Sequence, residues 1–458
     1  MKRKVIAMML AAVMVTGLVA CGGAAENAQQ TAAEGTDENS GASAAKGTEE
    51  ATVNETGVQS EEQTGKEEET MTAVEKAQAE RAAATIKDVE IKEEVIPEGE
   101  AFTFVKNMKV GWNLGNTLEA HNNGQISGDE LKTEEVWGNP VTTQKMIDEV
   151  KKAGFETIRI PITWRGHVTV AEDGSITVSE VWLNRVKEVV DYAVNNDMYI
   201  IINTHHDIDP ENGYYPSTEN YERSEAYLSA IWTAMAETFK DYDEHLIFES
   251  LNEPRMTEST YEWNFQAGAP ECQDAAECIN RLNQTFVDIV RASGGNNAQR
   301  YLMLPGYDAS LDGAMTDLYR LPTDTAENKL IVSVHAYTPY NFALQSPQES
   351  GSTDTFSIDA SASTKDIDYL MNSLYKKYVS QGIPVVIGEF GAREKNFNLQ
   401  DRLDYYVYYI SSARARGISC LVWDNNAFSG TGENFGLFRR SVGTWLYPEI
   451  IEAIMKYA

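Results

Sequence analysis

The stretch Phe248-Glu249-Ser250-Leu251-Asn252-Glu253-Pro254 decides how the chain is read. With Leu246 and Ile247 before it, Phe248 completes a short apolar run of the length and composition of a buried strand. The run stops at a proline, which a central strand does not carry. An amide and an acid are therefore presented at a strand's carboxyl end. The same pattern returns at Ile383-Pro384-Val385-Val386-Ile387-Gly388-Glu389-Phe390-Gly391. Two strands that each end in glutamate match an acid and nucleophile pair set on an α/β barrel.

Working outward, the runs expected as strands are 110–112, 157–160, 199–203, 246–248, 301–304, 330–334, 385–387 and 419–423. Between most of them the apolar residues recur at helical spacing, as in 141–153, 183–195, 221–239, 279–292, 365–378 and 401–414, with a closing helix at 445–457. Eight strands alternating with helices predict a (β/α)8 TIM barrel. An open doubly wound sheet is the alternative. It would place a glycine-rich phosphate loop after its first strand, where this chain has Gly111-Trp112-Asn113-Leu114-Gly115-Asn116-Thr117. In a barrel the strand ends would carry Asn116, Arg159, His205-His206, Asn252-Glu253, Tyr307-Asp308, His335-Ala336-Tyr337, Glu389 and Trp423. Nearly every one can hydrogen-bond to a sugar or stack on it. A lone His or Trp reads as structural, but their shared position reverses that reading.

The amino end reads differently. Lys2-Arg3-Lys4 and the apolar Val5–Ala20 run have the form of a signal peptide. Leu18-Val19-Ala20-Cys21-Gly22 then predicts a bacterial lipoprotein acylated at Cys21, with a plain secretory signal or a membrane anchor as alternatives. Residues 22 to about 85 are rich in Ala, Glu, Gly, Thr, Ser and Gln, and no aromatic residue occurs before Phe102. Such a composition cannot bury enough apolar surface to fold, so an acidic disordered linker is expected over 21–100 and a catalytic domain over 101–458. On that division, removal of residues 1–100 would leave a soluble, active domain. The net charge is −32, shared by tether and domain, which argues against nucleic acid as a partner. Membrane contact is expected through the lipid anchor alone, and a monomer is the default. Of four cysteines, Cys21 goes to lipid, and Cys272 and Cys278 share one expected loop. A local disulfide and two free thiols both remain open there. Cys420 reads as a buried thiol, and no spacing suggests zinc.

Taken together, these residues resemble glycoside hydrolase family 5, the cellulase A family, and within it the subfamily 4 endoglucanases and xyloglucanases. The resemblance rests on Gly111–Ala120, Trp137-Gly138-Asn139-Pro140, Ile158-Arg159-Ile160-Pro161 and Asn203-Thr204-His205-His206-Asp207. Leu251-Asn252-Glu253-Pro254, His335-Ala336-Tyr337, Gly388-Glu389-Phe390-Gly391 and Trp423-Asp424-Asn425 complete it. It implies a retaining endo-β-1,4-glucanase acting on cellulose, xyloglucan or mixed-linkage glucan without metal or cofactor. Glu253 would be the acid/base and Glu389 the nucleophile. Asn252 would bind the sugar 2-hydroxyl, Arg159 and Tyr337 would hold Glu389, and His205 and His335 would line the reaction centre. Trp423 would be the sugar platform. Asn116, Glu119 and His206 would contact a sugar further toward the non-reducing end. The residue chemistry agrees: Arg159 would keep Glu389 ionised, and that anion would raise the proton affinity of Glu253.

Long loops after strands three, four, six and eight predict a cleft. Their aromatics Tyr214, Tyr215, Tyr261, Trp263, Phe265, Tyr340, Phe342, Phe428 and Phe435 are candidates for stacking on sugars or for loop packing. The same chemistry on mannan or xylan remains an alternative. From another class, a solute-binding lipoprotein would also explain the tether but gives no reason for two strand-end glutamates. A metal-dependent hydrolase would call for spaced ligands, whereas adjacent His205 and His206 point to opposite faces if extended.

Overall fold

The computed structural model describes residues 72–126, 128–430 and 432–458. The expected signal peptide, Cys21 and most of the expected linker lie outside them. The chain divides into two compact units, Met1–Gln78 and Ala79–Ala458. A helix, Ala73–Ala83, crosses the division.

Eight parallel strands close into a barrel: β1 Val110–Asn113, β2 Thr157–Ile160, β3 Tyr199–Asn203, β4 Leu246–Glu249, β5 Leu302–Pro305, β6 Leu330–His335, β7 Val385–Phe390 and β8 Ser419–Val422. Every expected strand is present, and each pairs with its sequence neighbours, β1 meeting both β2 and β8. Period-two alternation then sorts the side chains. Outward residues such as Ile158, Ile200, Phe248, Val332 and Ile387 pack under the helices. Inward, Ile201, Ile247, Met303, Ile331, Val386 and Leu421 form an apolar tier across the barrel.

A helix absent from the expectation, Glu100–Met108, lies below that tier. Its Phe104 stacks on Tyr301 at 3.9 Å between ring centroids, and Phe104, Val105 and Met108 belong to the same interior cluster. The amino-terminal mouth of the barrel is therefore plugged.

The expected linker end at residue 100 is corrected. Residues 84–96 form a strap along the last helices, Leu399–Arg414 and Pro448–Tyr457. Thr85 N–H donates to Gln400 Oε1 at 2.8 Å, Lys87 Nζ lies 2.6 Å from Asp404 Oδ2, and Glu94 N–H donates to Ala415 O at 2.8 Å. Ile86, Val89, Ile91 and Ile96 pack on the core, and these scattered apolar residues distinguish the strap from the polar stretch before it.

The helix after β4 is also longer than expected, Pro270–Ala292, so Cys272 and Cys278 lie on a helix rather than in a loop. Both are free and buried. Six residues along a helix place two side chains on different faces, which rules out a bridge between them. Among the described residues no helix is long and apolar enough to cross a membrane.

Candidate active site

Above the apolar tier the inward face turns polar. Asn113, Arg159, Asn203, Glu249 and Ser333, from five different strands, are all fully buried. They are held around one guanidinium. Arg159 Nε donates to Glu249 Oε2 at 2.8 Å, Nη1 to Asn113 Oδ1 at 3.1 Å, and Nη2 to Asn252 Oδ1 at 2.8 Å. Asn203 Nδ2 and Ser333 Oγ donate to Glu249 at 2.9 and 2.6 Å. A buried charge is tolerated only when so fully paired.

Glu389 stands on this layer. It accepts from Arg159 Nη1 at 2.7 Å and from the Tyr337 hydroxyl at 2.9 Å. Its direction depends on a bulge. Val334 pairs with Ile387 but His335 with Glu389, and β8 shows the matching shift, Cys420 with Ile387 but Val422 with Phe390. Gly388 is the extra residue, and it re-aims Glu389 into the barrel. A Cβ at Gly388 would lie 2.8 Å from His335 Nε2, so only glycine fits.

Glu253, beyond the end of β4, is buried beside it. One oxygen lies 2.9 Å from His335 Nδ1 and the other 3.4 Å from Arg255 Nη1. Burial raises its proton affinity, but the hydrogen bond from His335 and the charges of His335 and Arg255 outweigh this and hold it below the usual carboxylate range. The expected upward shift is corrected, because His335 is a closer influence than the Glu389 anion. Burial lowers His335, while Glu389 and Glu253 together carry it above an ordinary histidine. Both directions place the proton between them on His335, against the Glu253 carboxylate.

His335 Nδ1 and one oxygen each of Glu253 and Glu389 lie within 4.8 Å of one another, the one such acid and histidine group among the described residues. A cation placed there would face Arg159, already 2.7 Å from Glu389. The donor set is that of a proton-transfer site.

The remaining expected residues surround this pair. The His205 ring lies 9° from parallel to Trp423, with centroids 6.1 Å apart. Gly115 packs against the indole so closely that a Cβ there would lie 2.9 Å from it. His206 meets His205, His121 and Trp137 edge-on or tilted. Burial drives both histidines far below their ordinary range, so they are neutral. Asn116 is half-buried at φ 58° and its carbonyl accepts from Asn139 at 2.7 Å. Glu119 is placed differently from the sequence expectation. It is fully buried, and its carboxylate accepts from the N–H groups of Asn116 and Thr117, so it shapes the loop rather than facing the cleft.

This arrangement can be set beside known proteins. The family model for cellulase (glycosyl hydrolase family 5) matches residues 118–429. The chain belongs to this family. Endoglucanase A of Clostridium longisporum is 42% identical over 358 residues, which cover 78% of this chain and 65% of that protein. A mutant lichenase from Caldicellulosiruptor sp. F32, solved with cellotetraose, is 54% identical with TM-score 0.80, covering 82% of this chain and 100% of the other. A broad-specificity GH5-4 endoglucanase from Ruminococcus champanellensis with bound cellotriose is 42% identical with TM-score 0.71, covering 79% and 100%.

As a family 5 glycoside hydrolase, the chain carries residues at its site that sequence reasoning passed over. Glu249, Asn113, Asn203 and Ser333 looked like strand interior. Each is inward-facing by period two, but one polar residue inside a strand run carries no local signal, and its meaning comes from partners on other strands. Arg255 was read only as the start of a loop. Of the loop aromatics, Tyr214, Phe342 and Phe435 are buried packing residues, whereas Trp263 and Tyr340 are open to solvent.

Proposed function

We infer that this family 5 hydrolase is a retaining endo-β-1,4-glucanase of plant cell-wall β-glucans. The observation that carries the reading is the proximity of Glu253 and Glu389, with oxygens within 4.8 Å. Retaining hydrolases hold their carboxyl groups about 5–5.5 Å apart and inverting ones about 6.5–9.5 Å. Glu389, ionised and oriented by Arg159 and Tyr337, attacks the anomeric carbon. The proton that His335 holds against Glu253 passes through Glu253 to the departing glycosidic oxygen. Glu253 then takes a proton from water, which displaces Glu389 from the sugar. Asn252, fixed by Arg159, faces the sugar hydroxyls, and Trp423 with His205 forms the platform. The related lichenase and broad-specificity endoglucanase support β-glucan substrates. The test is product release from carboxymethylcellulose, xyloglucan, barley glucan, glucomannan and xylan, with Glu389→Ala as control. Activity on the glucans that the substitution abolishes is expected. Activity confined to mannan or xylan would change the polymer, and binding without cleavage would leave a sugar-binding protein.

The amino-terminal sequence supports export and a lipid anchor at Cys21, with the monomeric hydrolase outside the cell. Loss of labelled palmitate on Cys21→Ser, with release of the enzyme to the medium, checks this.

A further inference from the structure

Glu253 has a second cation beside it that the reaction above does not use. Arg255 is buried, and its Nη1 lies 3.4 Å from Glu253 Oε2 and 3.0 Å from the Glu253 carbonyl. The contrast with Arg159, 2.7 Å from Glu389, is plain. Two further carboxylates share the guanidinium: Glu262 Oε1 at 3.4 Å and Asp308 Oδ1 at 3.9 Å from Nε. The Trp263 ring covers its face at 3.9 Å. Glu262 is itself held by the Glu258 N–H at 2.9 Å, and the Asp308 N–H donates to Pro254 O at 2.8 Å, which locks the turns after β4 and β5 together. Asp308 Oδ1 is buried without a hydrogen-bond partner.

We propose that Arg255, drawn partly off the acid by Glu262, is a positioning residue that sets the pH at which the Glu253–His335 pair gives up its proton. A nucleophile benefits from a tight arginine because it works ionised. An acid that must carry a proton in one step and lose it in the next would be disabled by the same contact. Sharing one guanidinium between Glu253 and Glu262 gives an intermediate field. The proposal rests on Glu253 being the acid/base.

The other groups facing Glu253 are His335, Glu389 and His206, with Tyr214 nearby, and those facing Arg255 include Tyr307. Burial keeps both tyrosines and His206 neutral across the working range. Asp308 is raised well above the carboxylate range by its burial and by Glu253, which leaves Glu262 as the competitor for the guanidinium.

The experiment is the pH profile of kcat/KM on a soluble β-glucan for the full-length protein. Removing the cation in Arg255→Met should move the alkaline limb up by about one pH unit, since an opposite charge at this range lowers a carboxyl by at least that much. Removing its competitor in Glu262→Gln should move the same limb down. The acid limb should stay in place in both. Aryl cellobiosides supply a second readout: 2,4-dinitrophenolate leaves unaided and phenolate does not, so the effect should appear with phenol alone. Limbs that stay fixed in both variants while kcat falls would overturn the proposal. If Arg255→Met fails to fold, the direction of the Glu262→Gln shift decides alone. Retained activity in Glu253→Gln would instead overturn the reading on which the proposal rests.

Discussion

At the residue scale the site works by giving similar carboxylates different surroundings. Glu389 meets a cation at 2.7 Å, and Glu253 meets an imidazole at 2.9 Å. Replacing either by Gln should lower kcat by roughly three orders of magnitude or more while leaving the circular-dichroism melt in place. Azide should rescue Glu389→Gly with an inverted glycosyl azide, and absence of rescue would remove the double displacement. Glu249 differs, because it neutralises Arg159 from below. Glu249→Gln should cost about 3 kcal/mol in denaturant unfolding, the scale for breaking a buried pair, and also lower turnover. Glu119 gives a pH signature. Burial pushes it up to about 7 despite the hydrogen bonds it accepts. A carboxyl raised in the folded state favours folding at low pH, and that contribution is lost as pH rises from its ordinary range through 7. Asp207, pushed up to about 6 by burial, acts in the same sense. Urea titrations of Glu119→Gln should therefore show a shallower decline of stability between about pH 4.5 and 7 than the parent. The two glutamates proposed as acid and nucleophile were legible in the sequence as strand-end acids because proline and glycine mark where their strands end. Glu249 was not, because one acid inside an apolar run has no local signal. Its meaning comes from Arg159 on another strand.

At the scale of elements, strand placement followed from periodicity, but the phase of β7 did not. An alternating pattern through Val386, Ile387, Gly388 and Glu389 would send Glu389 to the helix side, and only the pairing with β6 and β8 shows the extra residue. Gly388→Ala should displace His335 and cost about 1–3 kcal/mol by overpacking. Its catalytic loss should exceed what that instability explains, which comparing kcat well below the melting temperature will check. The sequence reading began the helix after β4 at 279 and left Cys272 and Cys278 in the loop before it. Proline is well suited to a first helical turn, and the cysteines pack as ordinary apolar groups.

At the scale of the whole molecule, the strap changes where the catalytic unit begins. A chain starting at residue 79 should melt like the full-length protein. One starting at 101 should lose roughly 3 kcal/mol or more, the worth of one to two buried aliphatic side chains, and melt earlier in calorimetry. Composition could not reveal this, because four spaced apolar residues acquire meaning only from the groove that receives them.

The plug of Phe104 and Met108 under a complete apolar tier has one more effect. The barrel has no axial exit, so water, the departing fragment and any incoming sugar all use the same open face. Once a glycosyl unit is attached to Glu389, its fate is a contest between solvent and whichever hydroxyl stands in the vacated half of the cleft. At high oligosaccharide concentration this enzyme should therefore build longer chains as well as shorten them. The ratio of transfer to hydrolysis products should climb with donor concentration.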